Sequence, residues 1–309
     1  MKGSLENCRL CPRECGINRY ERTGYCGEGA NIRIARADLH FWEEPCISGK
    51  NGSGTVFFSG CALKCRFCQN YEISAENKGF EISVKQLATI FLMLQSKGAE
   101  NINLVNPTHF VPQIISALEL CRNRLNIPVV YNCGGYEKTE TLELMRGYAD
   151  IFLPDLKYYS NKLSSEYSKA DDYFEKSLKA VIKMREIAGK PQFDKHGMLK
   201  KGVMIRHLVL PNHRRDSIEI MKILGRVFEK DDILISLMSQ YTPVYKAFQH
   251  KEISRRTTTF EYESVVREAE KYEFEGYIQQ KSSADTAFIP EFFDYLYFDL
   301  LNFTADTDL

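Results

Sequence analysis

From residue 55 to residue 241 the chain alternates short apolar runs with longer stretches of helical period. TVFFSG (55–60) is apolar, β-branched and aromatic and ends in glycine, which predicts a buried strand. SVKQLATIFLMLQSKG follows, with Val84, Leu87, Ile90, Phe91 and Leu94 on one helical face, Ser83 as N-cap and Gly98 as C-cap. The rhythm then repeats. NINLVNP precedes helical VPQIISALELCRNRL, IPVVYNCGG precedes KTETLELMRGY, and DIFLPDLKYY precedes one long helix over about 164–188. GVMIRHLVLPN precedes DSIEIMKILGRVFEK, and DILISLMSQY closes the series. Six strands alternating with helices predict an α/β fold with a parallel sheet. Right-handed crossovers curl such a sheet into a doubly wound sheet or a barrel.

The flanks are less regular. Residues 1–54 read as irregular and glycine-rich, closing with SGKNGSGT. Residues 188–202 read as a long polar loop. After Tyr241 come a basic ISRRTTTF, a helix near 260–274, and the tail EFFDYLYFDL, expected to pack as a terminal helix or extended cover. The expected division is a cysteine-rich segment and lead-in (1–54), an α/β body (55–245) and a C-terminal extension (246–309).

Composition changes this picture little. The 309 residues are 44% hydrophobic and 27% charged, with 41 basic and 41 acidic residues. Zero formal charge calls for neither a nucleic-acid nor a membrane partner. No apolar run reaches the roughly 18 residues of a membrane span. MKGSLENCRLCPREC lacks an apolar signal core, so a cytoplasmic location is expected.

The ten cysteines change it more. In a long chain without an export signal, clustered cysteines point to metal or redox chemistry rather than disulfides. Cys61, Cys65 and Cys68 form a CxxxCxxC group directly after the first predicted strand, at a carboxyl end where parallel sheets carry function. Three thiolates can hold three corners of a [4Fe–4S] cubane and leave one iron open to a non-protein ligand. Cys8, Cys11, Cys15 and Cys26 offer a full set, for structural zinc or a fully ligated iron–sulfur cluster. Cys46, Cys121 and Cys133 are scattered and read as small core residues.

CxxxCxxC after the first strand of a βα series, with Phe67 before its third cysteine, resembles the radical S-adenosylmethionine (SAM) superfamily. The resemblance implies a partial (β/α)6 barrel. It also implies a [4Fe–4S] cluster on Cys61, Cys65 and Cys68 whose open iron is chelated by SAM. Reductive cleavage of SAM would then give a 5′-deoxyadenosyl radical that abstracts hydrogen from a substrate. Asp155 and Lys157 resemble the DxK motif of glycyl-radical-enzyme activases, where the pair helps bind SAM. Arg206 in IRHLVLP resembles the activase arginine that engages the SAM carboxylate, a role suited to a planar fork.

The second strand departs from the family pattern. VNPTH (105–109) stands where a glycine-rich turn would grip the SAM ammonium, so Asn106, Thr108 or a backbone carbonyl would have to accept from it. Asn132, beside the glycine pair of NCGGY, suits a ribose or substrate contact. Ser239, Gln240 and Tyr241 suit the adenine or the substrate. LCPREC, YNCGGYE, LPDLKYY and RHLVLP resemble a pyruvate formate-lyase-activase-like branch, over about residues 8–245. That branch implies a glycyl radical protein or peptide substrate and a flavodoxin- or ferredoxin-type electron donor. Modification of a small molecule, and a non-catalytic iron- or zinc-binding scaffold, are the competing readings.

Other features lead elsewhere. GKNGSGT (49–55) is not a phosphate loop, because its lysine comes early and a strand follows. HFWEEPC reads as a polar link between the cysteine groups, with His40 or Glu43 approaching the active site. His109, His207 and His213 at strand ends read as structural.

Overall fold

The computed structural model of the chain describes residues 3–279 and Phe292. The aromatic tail, Phe292 apart, lies outside the described residues. Among the described residues ten strands form one sheet: β1 (Ile32–His40), β2 (Ser53–Phe58), β3 (Phe80–Ile82), β4 (Ile102–Val105), β5 (Val129–Cys133), β6 (Ile151–Pro154), β7 (Gln192–Phe193), β8 (Leu199–Leu208), β9 (Leu234–Met238) and β10 (Gly276–Ile278). The six expected strands are β2, β4, β5, β6, β8 and β9. They are parallel and lie side by side in chain order. This mostly parallel, open α/β sheet is the architecture of a partial barrel.

Both faces of the parallel strands are covered, which is why they read as near-continuous apolar runs. All six residues of β2 are buried. On one face Tyr131, Phe152, Val203 and Ile235 join the main core with the flanking helices. On the other, Val130, Ile151, Leu153, Met204 and Leu234 pack against Cys46 and Ile47 of a short helix, Pro45–Ser48. Two residues further along their strands, Arg206 and Ser236 continue that second face into an open cavity. The sheet thus has a plugged end and an open end.

Ser83 caps the helix Val84–Ser96 with a full capping box, its partner being Gln86. Gly98 follows that helix with φ +88°. Three expectations are corrected. Residues 188–202 are not a loop throughout, because β7 and the start of β8 pair antiparallel there. Residues 1–54 are not irregular throughout: the alternating IRIARADLH forms β1, antiparallel between β2 and β3. Its period of two was the available signal. The single helix expected over 164–188 is two, Asn161–Ser168 and Tyr173–Ala188. Lys169 turns left-handed at φ +50°, and the Ala170 amide donates back to Ser164 O at 3.2 Å. That closure satisfies the last carbonyls and ends the first helix.

Candidate functional site

Hydrogen bonds across the strand ends set the predicted residues side by side. The Asn106 amide donates to Asn132 O at 2.7 Å, the Asp155 amide to Cys133 O at 2.9 Å, and the Leu156 amide to Arg206 O at 2.8 Å. Asn106, Asn132, Asp155, Lys157 and Arg206 therefore line one cavity of about 630 Å³, together with Cys61, Cys65 and Cys68. Gln240 and Tyr241 line it too, although the Tyr241 hydroxyl turns away to Ile253 O at 2.6 Å.

Each sulfur of the loop has a hydrogen-bonding neighbour. The Leu63 amide donates to Cys61 Sγ at 3.3 Å, Ser168 Oγ to Cys65 Sγ at 3.0 Å, and Ser74 Oγ lies 3.2 Å from Cys68 Sγ. Burial pushes the free Cys68 thiol up to about 12 and raises Cys65 as well. Unmetallated, Cys65 and Cys68 are neutral thiols; thiols that ligate a cluster lose their protons, and the same neighbours then stabilise thiolate charge. Phe67 anchors the loop from beneath, edge-on to Tyr158, Tyr167 and Tyr241 at 5.8–6.3 Å.

Lys157 Nζ donates to Asp155 Oδ2 within the cavity. Burial alone would lower the lysine, but Asp155, with Cys65 and Tyr173, outweighs it and holds the ammonium above its usual range. Arg206 is occupied by carboxylates of this chain. Its Nε donates to Glu44 Oε1 at 2.9 Å, and its Nη2 contacts both Glu43 and Glu44. Burial opposes the charge of Glu44, but Arg206 holds its carboxyl low. Glu43 also accepts from Asn103 Nδ2 at 2.8 Å. The approach of Glu43 and His40 matches the sequence expectation; the full Glu43–Glu44–Arg206 group was not foreseen, although a guanidinium inside a sheet demands a carboxylate partner.

Thr108 is drawn away from the cavity. It is buried and donates to Glu137 Oε1 at 2.7 Å. Glu137 also accepts from Tyr131 OH at 3.0 Å, and burial raises its carboxyl to about 7. Ser239 is held by Gln279, its amide donating to Oε1 at 3.0 Å. His109 and His207 bond backbone carbonyls of Ser59 and Leu156, each at 2.6 Å. Burial depresses them to about 3 and about 4, so both are neutral at physiological pH, as structural histidines are. His213 pairs with the Tyr167 hydroxyl at 2.9 Å. The glycine pair of NCGGY is not a source of flexibility: at Gly135, φ +80°, an added Cβ would stand 2.0 Å from Asp155 O. Close backbone approach requires glycine there.

The model of the radical SAM superfamily matches residues 55–224. The chain belongs to this superfamily. Among curated proteins, the uncharacterized protein MJ0674 of Methanocaldococcus jannaschii is 32% identical over 281 residues, covering 88% of this chain and 76% of the relative. Among solved structures, a radical SAM methyltransferase from Sphaerobacter thermophilus superposes with a TM-score of 0.52 at 12% identity. That match covers 74% of this chain and 66% of the other. SuiB of Streptococcus suis, bound to S-adenosylmethionine, matches at a TM-score of 0.47 and 14% identity, over 71% of this chain. The chain spans only 48% of SuiB. This radical SAM enzyme thus has the superfamily's fold, and membership implies SAM and a [4Fe–4S] cluster. Its cavity fits that pair: three sulfurs with hydrogen-bonding neighbours open onto the same space as a half-buried lysine–aspartate pair. No helix among the described residues is long and apolar enough to cross a membrane.

Proposed function

We propose that Cys61, Cys65 and Cys68 hold the [4Fe–4S] cluster and that Asp155, Lys157 and Asn132 position SAM beside it. The observation that carries this reading is the convergence of the three sulfurs with the Asp155–Lys157 pair on one cavity. Cluster and cofactor together supply one-electron cleavage of SAM to a 5′-deoxyadenosyl radical, which takes hydrogen from the substrate. The chain's own part is to bind, orient and exclude water. Lys157 is a fixed cation for a carboxylate. Asn106 keeps its side chain on Gly60 O, so it acts by shaping the cysteine loop. Arg206, clamped by Glu43 and Glu44, fixes the far wall and can meet an anionic group only with the outer part of its fork.

The substrate in this reading is a polypeptide, in keeping with the activase-like motifs. Trp42 and Ile278 line the cavity yet stay 62% and 53% exposed, an apolar rim of the kind that receives another chain. The test uses protein reconstituted anaerobically with iron and sulfide, then given SAM and a strong reductant. Formation of 5′-deoxyadenosine, abolished in Cys68→Ala, is expected. An intact cluster that yields none overturns the proposal. The N-terminal four cysteines complete it as a second, closed metal site.

A further inference from the structure

A group of metal-ligating side chains lies outside the cavity, behind the three-cysteine loop. Glu166, His250 and Glu252 bring their ligand atoms within 4.8 Å of one another. His250 Nδ1 stands 3.1 Å from Glu166 Oε1 and 3.8 Å from Glu252 Oε1. Ligand atoms bound to one divalent metal at about 2.0–2.2 Å lie about 2.8–3.6 Å apart, so the group has to close by only a few tenths of an ångström. Glu166 comes from the helix Asn161–Ser168. His250 lies between the short turns Ala247–Gln249 and Lys251–Ile253, and Glu252 belongs to the second of them.

The charge there is unbalanced. Among the described residues no lysine or arginine pairs with Glu166 or Glu252, and His250 is the basic neighbour of both. Where the fold brings Glu43 and Glu44 together, by contrast, it supplies Arg206. The donors are also aimed. Tyr167, only 1% exposed, donates from its hydroxyl to Glu252 Oε1 at 2.7 Å and sets its ring edge-on to His250 at 5.2 Å. Outer hydrogen bonds and packing of this kind orient the ligands of a metal. His250 Nε2 is shut in and has no hydrogen-bond partner among the described residues, so Nδ1, which faces the carboxylates, is the nitrogen available to a metal. Glu166 and Glu252 keep 38% and 31% of their side-chain surface exposed, which opens the group to ions from solvent.

We infer that Glu166, His250 and Glu252 bind a first-row divalent metal ion, of the manganese-to-zinc class that one imidazole and two carboxylates suit. The ion joins the helix Asn161–Ser168 to the segment after β9 across Arg66, the residue between Cys65 and Phe67. Arg66 Nε donates to Glu166 O at 3.1 Å, and Arg66 O accepts from the Lys246 amide at 2.9 Å. The site therefore clamps the cysteine loop from outside the cavity and takes no part in the chemistry within. It does not rest on the proposed role of Cys61, Cys65 and Cys68.

The test counts Mn²⁺, which prefers oxygen and nitrogen ligands to thiolates, bound by the anaerobically reconstituted full-length protein. Wild type is expected to hold about one Mn²⁺ per chain more than Glu166→Gln/Glu252→Gln, read from the loss of the free ion's electron paramagnetic resonance signal. Both proteins carry the same cysteines, so the difference does not depend on what those hold. Tyr167→Phe, which keeps all three ligands, is expected to weaken the binding about tenfold. Equal binding by wild type and the double variant overturns the inference. Where the double variant does not fold, wild type decides by itself: Mn²⁺ at this site shows spin-echo modulation from an imidazole nitrogen, and absence of that modulation overturns the inference. A melting temperature lowered in His250→Ala by the same amount with and without Mn²⁺ identifies an ion pair in place of a metal site, and overturns it too.

Discussion

At the residue scale, the site works through groups whose charge the interior fixes. Lys157 stays an ammonium because Asp155 outweighs its burial, so it is ready to meet a carboxylate at any physiological pH. Lys157→Met is expected to weaken SAM binding to the reconstituted protein by about tenfold or more, as loss of a charged hydrogen bond of about 1.5–3 kcal/mol would. Equilibrium dialysis with labelled SAM measures it. Glu137 carries the opposite burden. Its folded carboxyl keeps its proton up to about pH 7, while an unfolded one releases it near 4.5. In that window the folded state holds the extra proton, so this residue's contribution falls as pH rises and levels off above about 7. Glu137→Gln should remove that slope, a difference of up to about 3 kcal/mol between pH 4.5 and 8. Thermal unfolding of both proteins across that range checks it, and parallel curves would refute the assignment.

At the scale of elements, strand β8 carries a buried cation across the sheet to the turn before the helix Pro45–Ser48. Arg206 with Glu43 and Glu44 is one ionic group, all three side chains at most 13% exposed. Removing the arginine strands two carboxylates in the interior, so Arg206→Met is expected to cost about 3–5 kcal/mol in urea unfolding. Tertiary packing gives the helix Asn161–Ser168 its second role. By ending at Lys169 rather than running on, it leaves Ser168 facing Cys65 and its carbonyl facing Arg13. The strands and their order were legible because a doubly buried strand and an amphipathic helix have different periods. The break at Lys169 was not, because the segment keeps helical composition through it and only the closing hydrogen bonds mark the turn.

At the scale of the molecule, the N-terminal segment packs against the loop at the cavity end of the sheet rather than standing beside it. Gly60 sits at φ +80°, where a Cβ would meet Cys26 O at 2.9 Å and Glu28 Cγ at 2.5 Å. Gly60→Ala is therefore expected to lift the segment, seen as faster tryptic cleavage at Arg9, Arg13 or Arg22 while the strands of the body keep their amide protection. Unaltered cleavage would show that the contact is not what holds it. The sequence by itself determined the βα order, the ligand types and the three-against-four contrast of the cysteine groups. These follow from side-chain period and from chemistry carried within a few residues. Only the tertiary structure decided that Glu43 and Glu44 occupy Arg206, that Thr108 turns inward to Glu137, and that Gly60 lies against Cys26. Each of those depends on where separate stretches of chain meet, and that is set by packing over the whole sheet.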